Sequence, residues 1–356
     1  MTHLEKLTKA LPEGRALLVS SEINQRWLTG FEYTDGYVLV CPENAYLLTD
    51  FRYIEAARAE ADKGFNVMMP EGTMLEEIAR LLKINSVNCV MIEDATLPVA
   101  NFERIRSKLE GVELVSGASA LIDGQRRYKD EGEFEIMKRA QAITDAAFEH
   151  ILGYINPDRT EVDVALELEF FMRSQGAEGI AFQTIAVSGS ASSMPHGVPR
   201  NVKLERGFLT MDFGAKYKGY CSDMTRTVVI GKADGDIKRL YETVKTAQLA
   251  SLEALYNGER ERLRLDTIAR DIIDNAGYRG CFGHSLGHGV GMYIHEAPGL
   301  SQKAPAGELL GVGDIVTFEP GIYLSGKYGC RIEDMVGITE NGPYNFTHSP
   351  KELIEL

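Results

Sequence analysis

The chain has 356 residues, 44% apolar and 25% charged, with 52 acidic against 38 basic side chains and a net charge of −14. That composition excludes disorder, collagen and coiled coil as the main architecture, and no apolar run approaches the ~18 residues a membrane helix needs. The negative field repels phosphate backbones and anionic lipid, which argues against nucleic-acid or membrane partners and suits a protein that gathers cations.

From the N-terminus, residues 1–10 mix charge with Leu and lack a signal-peptide core, so a cytoplasmic location is expected. Five scattered cysteines (Cys41, Cys89, Cys221, Cys281, Cys330), none in a Cys-x-x-Cys pair, fit reduced thiols there. Up to residue 125, strands are predicted over 16–20, 37–41, 45–49, 67–69, 89–92 and 112–115, and helical spacing over 53–62, 74–82 and 101–109. That is an α/β domain. It has no Gly-rich phosphate loop and no tight cluster of His, Cys, Asp or Glu. It reads as a scaffold or recognition domain over 1–125, with Asp123-Gly-Gln-Arg-Arg-Tyr-Lys-Asp130 as a polar linker.

Residues 126–356 read as an α+β domain with an internal repeat. An amphipathic helix over 133–155 carries Phe134, Met137, Ala140, Ile143, Ala147 and Ile151 on one stripe. A second helix starts at Thr160-Glu-Val-Asp163, a capping box with Asp in place of the usual Glu. A Gly-rich loop and two strands, 208–214 and 219–230, follow. The order recurs about a hundred residues later: helices over 237–256 and 265–276, a Gly-rich loop, and strands over 314–320 and 330–339.

Each strand pair carries two acids. Direct opposition of Asp212 and Asp223 centres one turn between Tyr217 and Lys218, and that of Glu319 and Glu333 centres the other on Gly326. The members of each pair would then lie roughly 5 Å apart on one face. Opposed like charges destabilise a sheet, and a bound dication supplies the compensation. The core-like flankers Met211, Phe213, Val316, Phe318, Ile332 and Met335 argue against a solvated surface.

Four histidines lie nearby in sequence: His196, His284, His288 and His295. Glycines around the last three make a helix costly, so a loop running into a strand is expected. Spacing alone leaves open which of them is a ligand. One imidazole with four carboxylates is too oxygen-rich for structural zinc and fits a two-metal centre of Mn²⁺, Co²⁺ or Fe²⁺ type, Zn²⁺ being possible. Such a centre activates water and polarises a carbonyl, which is hydrolase chemistry. There is no Gly-x-Ser-x-Gly elbow and no evident Cys–His arrangement.

Three segments carry a resemblance: Met211-Asp-Phe-Gly-Ala-Lys-Tyr-Lys-Gly-Tyr-Cys-Ser-Asp-Met-Thr-Arg226, the stretch 284–296, and Phe318-Glu-Pro-Gly-Ile-Tyr with Arg331-Ile-Glu-Asp334. They resemble the proline-specific metallopeptidases of the pita-bread fold, Xaa-Pro aminopeptidase and Xaa-Pro dipeptidase (prolidase). Asn24, Leu28-Thr-Gly30 and Leu48-Thr-Asp-Phe-Arg-Tyr53 resemble their creatinase-like N-terminal domain. The resemblance implies a pita-bread catalytic domain with an internal pseudo-twofold repeat. It also implies that Asp212, Asp223, His288, Glu319 and Glu333 bind two divalent ions, Mn²⁺ first among the candidates.

His196 and His295 match histidines that contact substrate and the tetrahedral intermediate, and His284 matches one lining the site. Glu319 matches the carboxylate that handles the water proton. Arg331 matches a site arginine, an ion pair with Glu333 or Asp334 being the alternative. Tyr220 either bonds near the metals or is a sheet tyrosine. A homodimer acting on small peptides with proline second is implied. With no arginine in 296–300, the expectation tilts toward the aminopeptidase over the dipeptidase, for which Arg331 is the candidate carboxylate anchor. Methionine aminopeptidase and a non-catalytic peptide-binding module are more remote alternatives.

Overall fold

The computed structural model describes residues 1–356, which divide into two compact units, Met1–Arg126 and Arg127–Leu356. No helix is long and apolar enough to cross a membrane, and all five cysteines are free.

The N-terminal unit is built on a six-stranded mixed sheet. Its strands are β1 (Arg15–Val19), β2 (Gly36–Val40), β3 (Ala45–Thr49), β4 (Phe65–Met68), β5 (Cys89–Ile92) and β6 (Glu113–Val115), in the order β4-β3-β2-β1-β5-β6. β3 is buried along its whole length, as an unbroken apolar run requires. The helices are α1 (His3–Ala10), α2 (Glu22–Thr29), α3 (Ile54–Glu60), α4 (Met74–Ile84), α5 (Val99–Lys108) and α6 (Ala118–Arg126). The expected polar linker is half helix: residues 123–126 belong to α6. Their helical state follows from burial, since Ala118, Ser119, Ile122 and Arg126 form its inner face and the Arg126 guanidinium donates to Asn24.

The C-terminal unit opens with α7 (Glu131–Tyr154), capped reciprocally by Asp130 and Glu133, with Met137, Ala140, Ile143, Ala147 and Ile151 buried on its predicted stripe. α8 (Glu161–Ser174) starts on the predicted Thr160–Asp163 capping box. Next come β7 (Gly179–Ile180), β8 (Ile185–Ser188), β9 (Gly207–Phe213), β10 (Ala215–Tyr217), β11 (Tyr220–Cys221) and β12 (Met224–Ile230). β12-β9-β8 form one antiparallel sheet whose apolar residues pack with those of α7 and α8.

The helix–helix–strand order then recurs. α9 (Gly235–Tyr256) and α10 (Arg262–Ile273) precede β13 (Gly287–Gly289), β14 (Glu296–Leu300) and β15 (Ile315–Phe318). The rest are β16 (Gly321–Leu324), β17 (Tyr328–Arg331), β18 (Asp334–Thr339) and β19 (Gly342–Asn345). The second sheet runs β14-β13-β15-β18-β19, and its core includes Val316, Phe318 and Val336 with Leu240, Val244 and Leu265 of the helices. This is the internal repeat that the sequence predicts.

The first hairpin differs from expectation in register. β10 and β11 close on Lys218-Gly219, both with positive φ (47° and 86°), as a two-residue type I′ turn demands. The turn therefore sits one residue later than predicted, and Asp212 pairs with Thr225, not with Asp223. A shift of two in register keeps both carboxylates on the same face. In the second half Phe318 pairs with Asp334 and Gly321 with Arg331, so Glu319 and Glu333 fall opposite each other between those pairs, as predicted.

Candidate metal centre

Each of the five expected ligands sits at the end or middle of a strand. Asp212 is in β9, Asp223 precedes β12, His288 is the centre of β13, Glu319 follows β15, and Glu333 lies between β17 and β18. His288 has glycine on both sides. A Cβ at Gly287 would lie 1.9 Å from the Thr317 carbonyl oxygen, and one at Gly289 would lie 2.5 Å from that of Ala297. The backbone of β13 therefore runs closer to its neighbours than any side chain permits.

The five groups converge. His288 Nε2 is 3.4 Å from both Asp223 Oδ2 and Glu319 Oε1, and ligand atoms of Asp223, His288 and Glu333 lie within 4.8 Å of one another. His288 Nδ1 faces its neighbour's carbonyl, Gly289 O, at 3.1 Å. A proton on Nδ1 satisfies that contact and leaves the Nε2 lone pair toward the acids, the usual arrangement for a metal-binding imidazole. Burial lowers the His288 pKa, so the ring is neutral.

Supporting hydroxyls fix the carboxylates. Thr225 Oγ1 donates to Glu333 Oε2 at 2.6 Å, and Thr317 Oγ1 donates to Glu319 Oε1 at 3.1 Å while accepting from the His288 N–H. Arg331 Nη2 donates to Asp212 Oδ2 at 2.5 Å, whereas Asp212 Oδ1 is buried with no partner.

The electrostatics leave a positive charge wanting. Burial, then repulsion from Glu333, Asp212 and Glu319, drives the Asp223 carboxyl well above its usual range. Burial, then Glu319 and Asp212, does the same to Glu333. Glu319 is pushed up to about 7, chiefly by burial. Four carboxylates with one arginine among them are under-compensated, and divalent cations fit both the donor set and the orphaned Asp212 oxygen.

A directed hydrogen-bond chain runs away from the acids. Arg331 Nη1 donates to the Tyr323 hydroxyl at 2.8 Å, which in turn meets His284 Nε2 at 2.9 Å, and His284 Nδ1 meets Ser285 O at 2.9 Å. One set of protons satisfies every link: Tyr323 donates to Nε2 and Nδ1–H donates to the carbonyl. Burial pushes His284 down to about 4, consistent with that neutral ring. His284 Nδ1 is 4.0 Å from Glu319 Oε2. A cavity of about 420 Å³ opens over the acids, with His196 and His295 on its wall and Phe182, Ile185 and Ile294 as its apolar side. The His295 ring stands edge-on to His288, with 4.3 Å between centroids.

At two positions the sequence leaves alternatives open, and one of each is excluded. Arg331 is paired with neither Glu333 nor Asp334: Asp334 is taken by the buried Arg226 at 2.9 Å and by Lys351 at 2.5 Å. Tyr220 does not reach the acids, because its hydroxyl donates to Glu133 at 2.6 Å. Sequence reasoning missed Thr225, Thr317 and Tyr323. For Thr225 the alternation along β12 was a usable signal, since position 225 shares a face with 223.

Comparison with known proteins is consistent along the chain. Residues 135–340 match Metallopeptidase family M24, and residues 4–128 match the Creatinase/Prolidase N-terminal domain. An Xaa-Pro dipeptidase of Pyrococcus furiosus is 36% identical over 356 residues, covering 99% of each chain. Among solved structures, an Xaa-Pro dipeptidase from Bacillus anthracis matches with a TM-score of 0.93 at 39% identity, covering 99% of both chains. An X-Pro aminopeptidase from Thermotoga maritima matches with a TM-score of 0.91 at 33% identity, covering 98% of this chain and 99% of that one.

Proposed function

The chain belongs to metallopeptidase family M24, and on that premise we propose that it hydrolyses the bond between an N-terminal residue and proline, as an Xaa-Pro aminopeptidase. Asp212, Asp223, His288, Glu319 and Glu333 hold two divalent ions in this reading, Mn²⁺ first among the candidates. When bound, the ions supply Lewis-acid activation of water and of the scissile carbonyl.

The remaining work falls to the chain itself. Glu319 takes the proton of the attacking water and returns it to the leaving proline nitrogen. Oε2 is the atom for that role, because Oε1 already faces Thr317 and His288. His196 and His295 meet the substrate from the cavity wall. Phe182, Ile185 and Ile294 offer an apolar surface for the proline ring. Arg331 fixes Asp212, and the Tyr323–His284 chain fixes Arg331. A homodimer in the cytoplasm is part of the same reading.

One observation favours the aminopeptidase. A dipeptidase must hold the substrate's free carboxylate, and Arg331 is the only arginine or lysine lining the cavity. All three of its guanidinium nitrogens are already engaged, by Thr225, by Tyr323 with the Pro195 carbonyl, and by Asp212. The dipeptidase alternative draws on the names of the Pyrococcus and Bacillus relatives. Methionine aminopeptidase is disfavoured by the Creatinase/Prolidase-type N-terminal domain. Membership of a peptidase family sets aside the non-catalytic module.

The deciding measurement is kcat/KM for Ala-Pro-Ala against Ala-Pro with metal supplied, since that ratio reports differential transition-state binding. We expect the tripeptide to be cleaved at least as well, and Ala-Ala-Ala poorly. Loss of a charge-assisted carboxylate contact costs about 1.5–3 kcal/mol, roughly ten- to a hundredfold in rate. A preference of that size for Ala-Pro would establish the dipeptidase instead.

A further inference from the structure

His196 lies on the segment joining β8 to β9, and one buried carboxylate grips both ends of the stretch that carries it. Glu161 opens α8 and is fully buried. It accepts from the backbone N–H and hydroxyl of Ser188, the last residue of β8, at 2.7 and 2.8 Å. It also accepts from Arg200, through its backbone N–H at 2.9 Å, Nε at 2.9 Å and Nη2 at 2.6 Å. The first turn of α8 reinforces the grip: Glu161 N donates to Val202 O at 3.2 Å and Val162 N to Arg200 O at 3.4 Å. These are helix N–H groups that have no partner within the helix.

Between the clamped ends, Met194-Pro195-His196-Gly197 forms a turn closed by Gly197 N to Met194 O at 3.1 Å, with Pro in its favoured second position. Two further ties reach this stretch from β17. Gly329 N donates to Ser192 Oγ at 3.0 Å, and Arg331 Nη1 donates to Pro195 O at 3.3 Å. The His196 ring itself is exposed on the cavity wall. A buried ion pair adds little net stability over a well-packed apolar pair. What five hydrogen bonds on one carboxylate do supply is a fixed distance between residues 188 and 200.

We propose that Glu161 is a positioning residue for His196: through Ser188 and Arg200 it sets the span of the loop, and with it the place where the imidazole meets substrate. The inference rests on the peptidase reading above for the role of His196, but the clamp can be tested without it.

The test is a double-mutant cycle. Arg200→Met keeps the aliphatic stem and deletes the side-chain half of the clamp. With Ala-Pro-Ala as substrate, it should lower kcat/KM about ten- to a hundredfold in the parent, the cost of misplacing a reacting group by about an ångström. In a His196→Ala background it should lower kcat/KM less than about twofold, with metal content unchanged throughout. Equal losses in the two backgrounds, or no loss in the parent, would overturn the proposal. Ser188→Ala, which removes a single hydroxyl, should repeat the pattern more weakly and serves if Arg200→Met does not fold. Hydrogen exchange of residues 189–199 needs no substrate. It should quicken there in either variant and not in the β9–β12 ladder. Unchanged exchange would sink the clamp, whereas a metal-loaded parent that cleaves no Xaa-Pro peptide would sink only the functional reading.

Discussion

Asp212 and Asp223 lie two positions out of register on one antiparallel ladder, with Thr225 directly across from Asp212. The arrangement separates the two acids diagonally yet keeps them on a common face, and it places between Asp212 and its neighbours a residue that can hydrogen-bond. Thr225 uses that place to bond both Glu333 and Arg331. Three predictions follow from how this cluster of acids is compensated.

The first is that metal removal abolishes activity and lowers stability. A cation bound at a hundred times its Kd stabilises the native state by about 2.7 kcal/mol. A chelated sample should therefore melt several degrees lower, and Mn²⁺ or Co²⁺ should restore both melting temperature and turnover. Asp223→Asn should lose metal occupancy while melting above the chelated parent, because it removes one of the mutually repelling charges. Full turnover in excess chelator after exhaustive dialysis would contradict the mechanism.

The second concerns pH and the metal-free protein. Folding raises the Glu319 pKa from 4.5 to about 7, so the fold favours the protonated acid. Its contribution to stability is fully present below pH 4.5 and is lost as pH rises through about 7, because only the unfolded chain ionises freely in that window. Glu319→Gln imitates the protonated state at every pH. In chelator, the variant and parent should melt together near pH 4, and the variant should gain up to about 3 kcal/mol by pH 8. With metal present the order should reverse. Parallel pH profiles in chelator would refute the assignment.

The third separates holding metal from using it. Thr225→Val is nearly isosteric but removes the donor to Glu333 and the acceptor for Arg331, so metal affinity should fall about ten- to a hundredfold, with Thr225→Ser close to the parent. His295→Ala should keep its metal and lose turnover. Titration calorimetry and metal analysis read the difference, and a His295 variant that loses metal while Thr225→Val keeps it would invert the roles.

The four acids were legible before folding because chemistry, spacing and apolar flanks agreed on one reading, whereas spacing left the histidines open and only the family resemblance singled out His288. The internal repeat was legible because its strongest helices are amphipathic and capped. Periodicity did not single out α1 and α2, although Thr2 with Glu5, and Ser21 with Gly30 at φ 68°, mark their ends. The first register was misjudged because Lys218 adopts a positive φ that its side chain gives no reason to expect. Thr317, Tyr323 and Glu161 could not be singled out, since a hydroxyl or a carboxylate acquires its task only from what the chain brings beside it. The two arginines illustrate the same limit: Arg226 and Arg331 each have acids nearby in sequence, and only the folded chain gives Asp334 to one and Asp212 to the other.

The narrow slot around His288 has a genetic consequence. Any amino-acid replacement of a glycine adds at least one carbon, and at Gly287 and Gly289 that carbon would meet a neighbouring carbonyl oxygen. The proposed ligand is therefore bracketed by two residues that carry no chemistry and leave no room for a side chain. A survey of random variants scored on activity alone would rank all three positions as equals, and would give the impression of a catalytic triplet where one imidazole acts and two absent side chains make room for it.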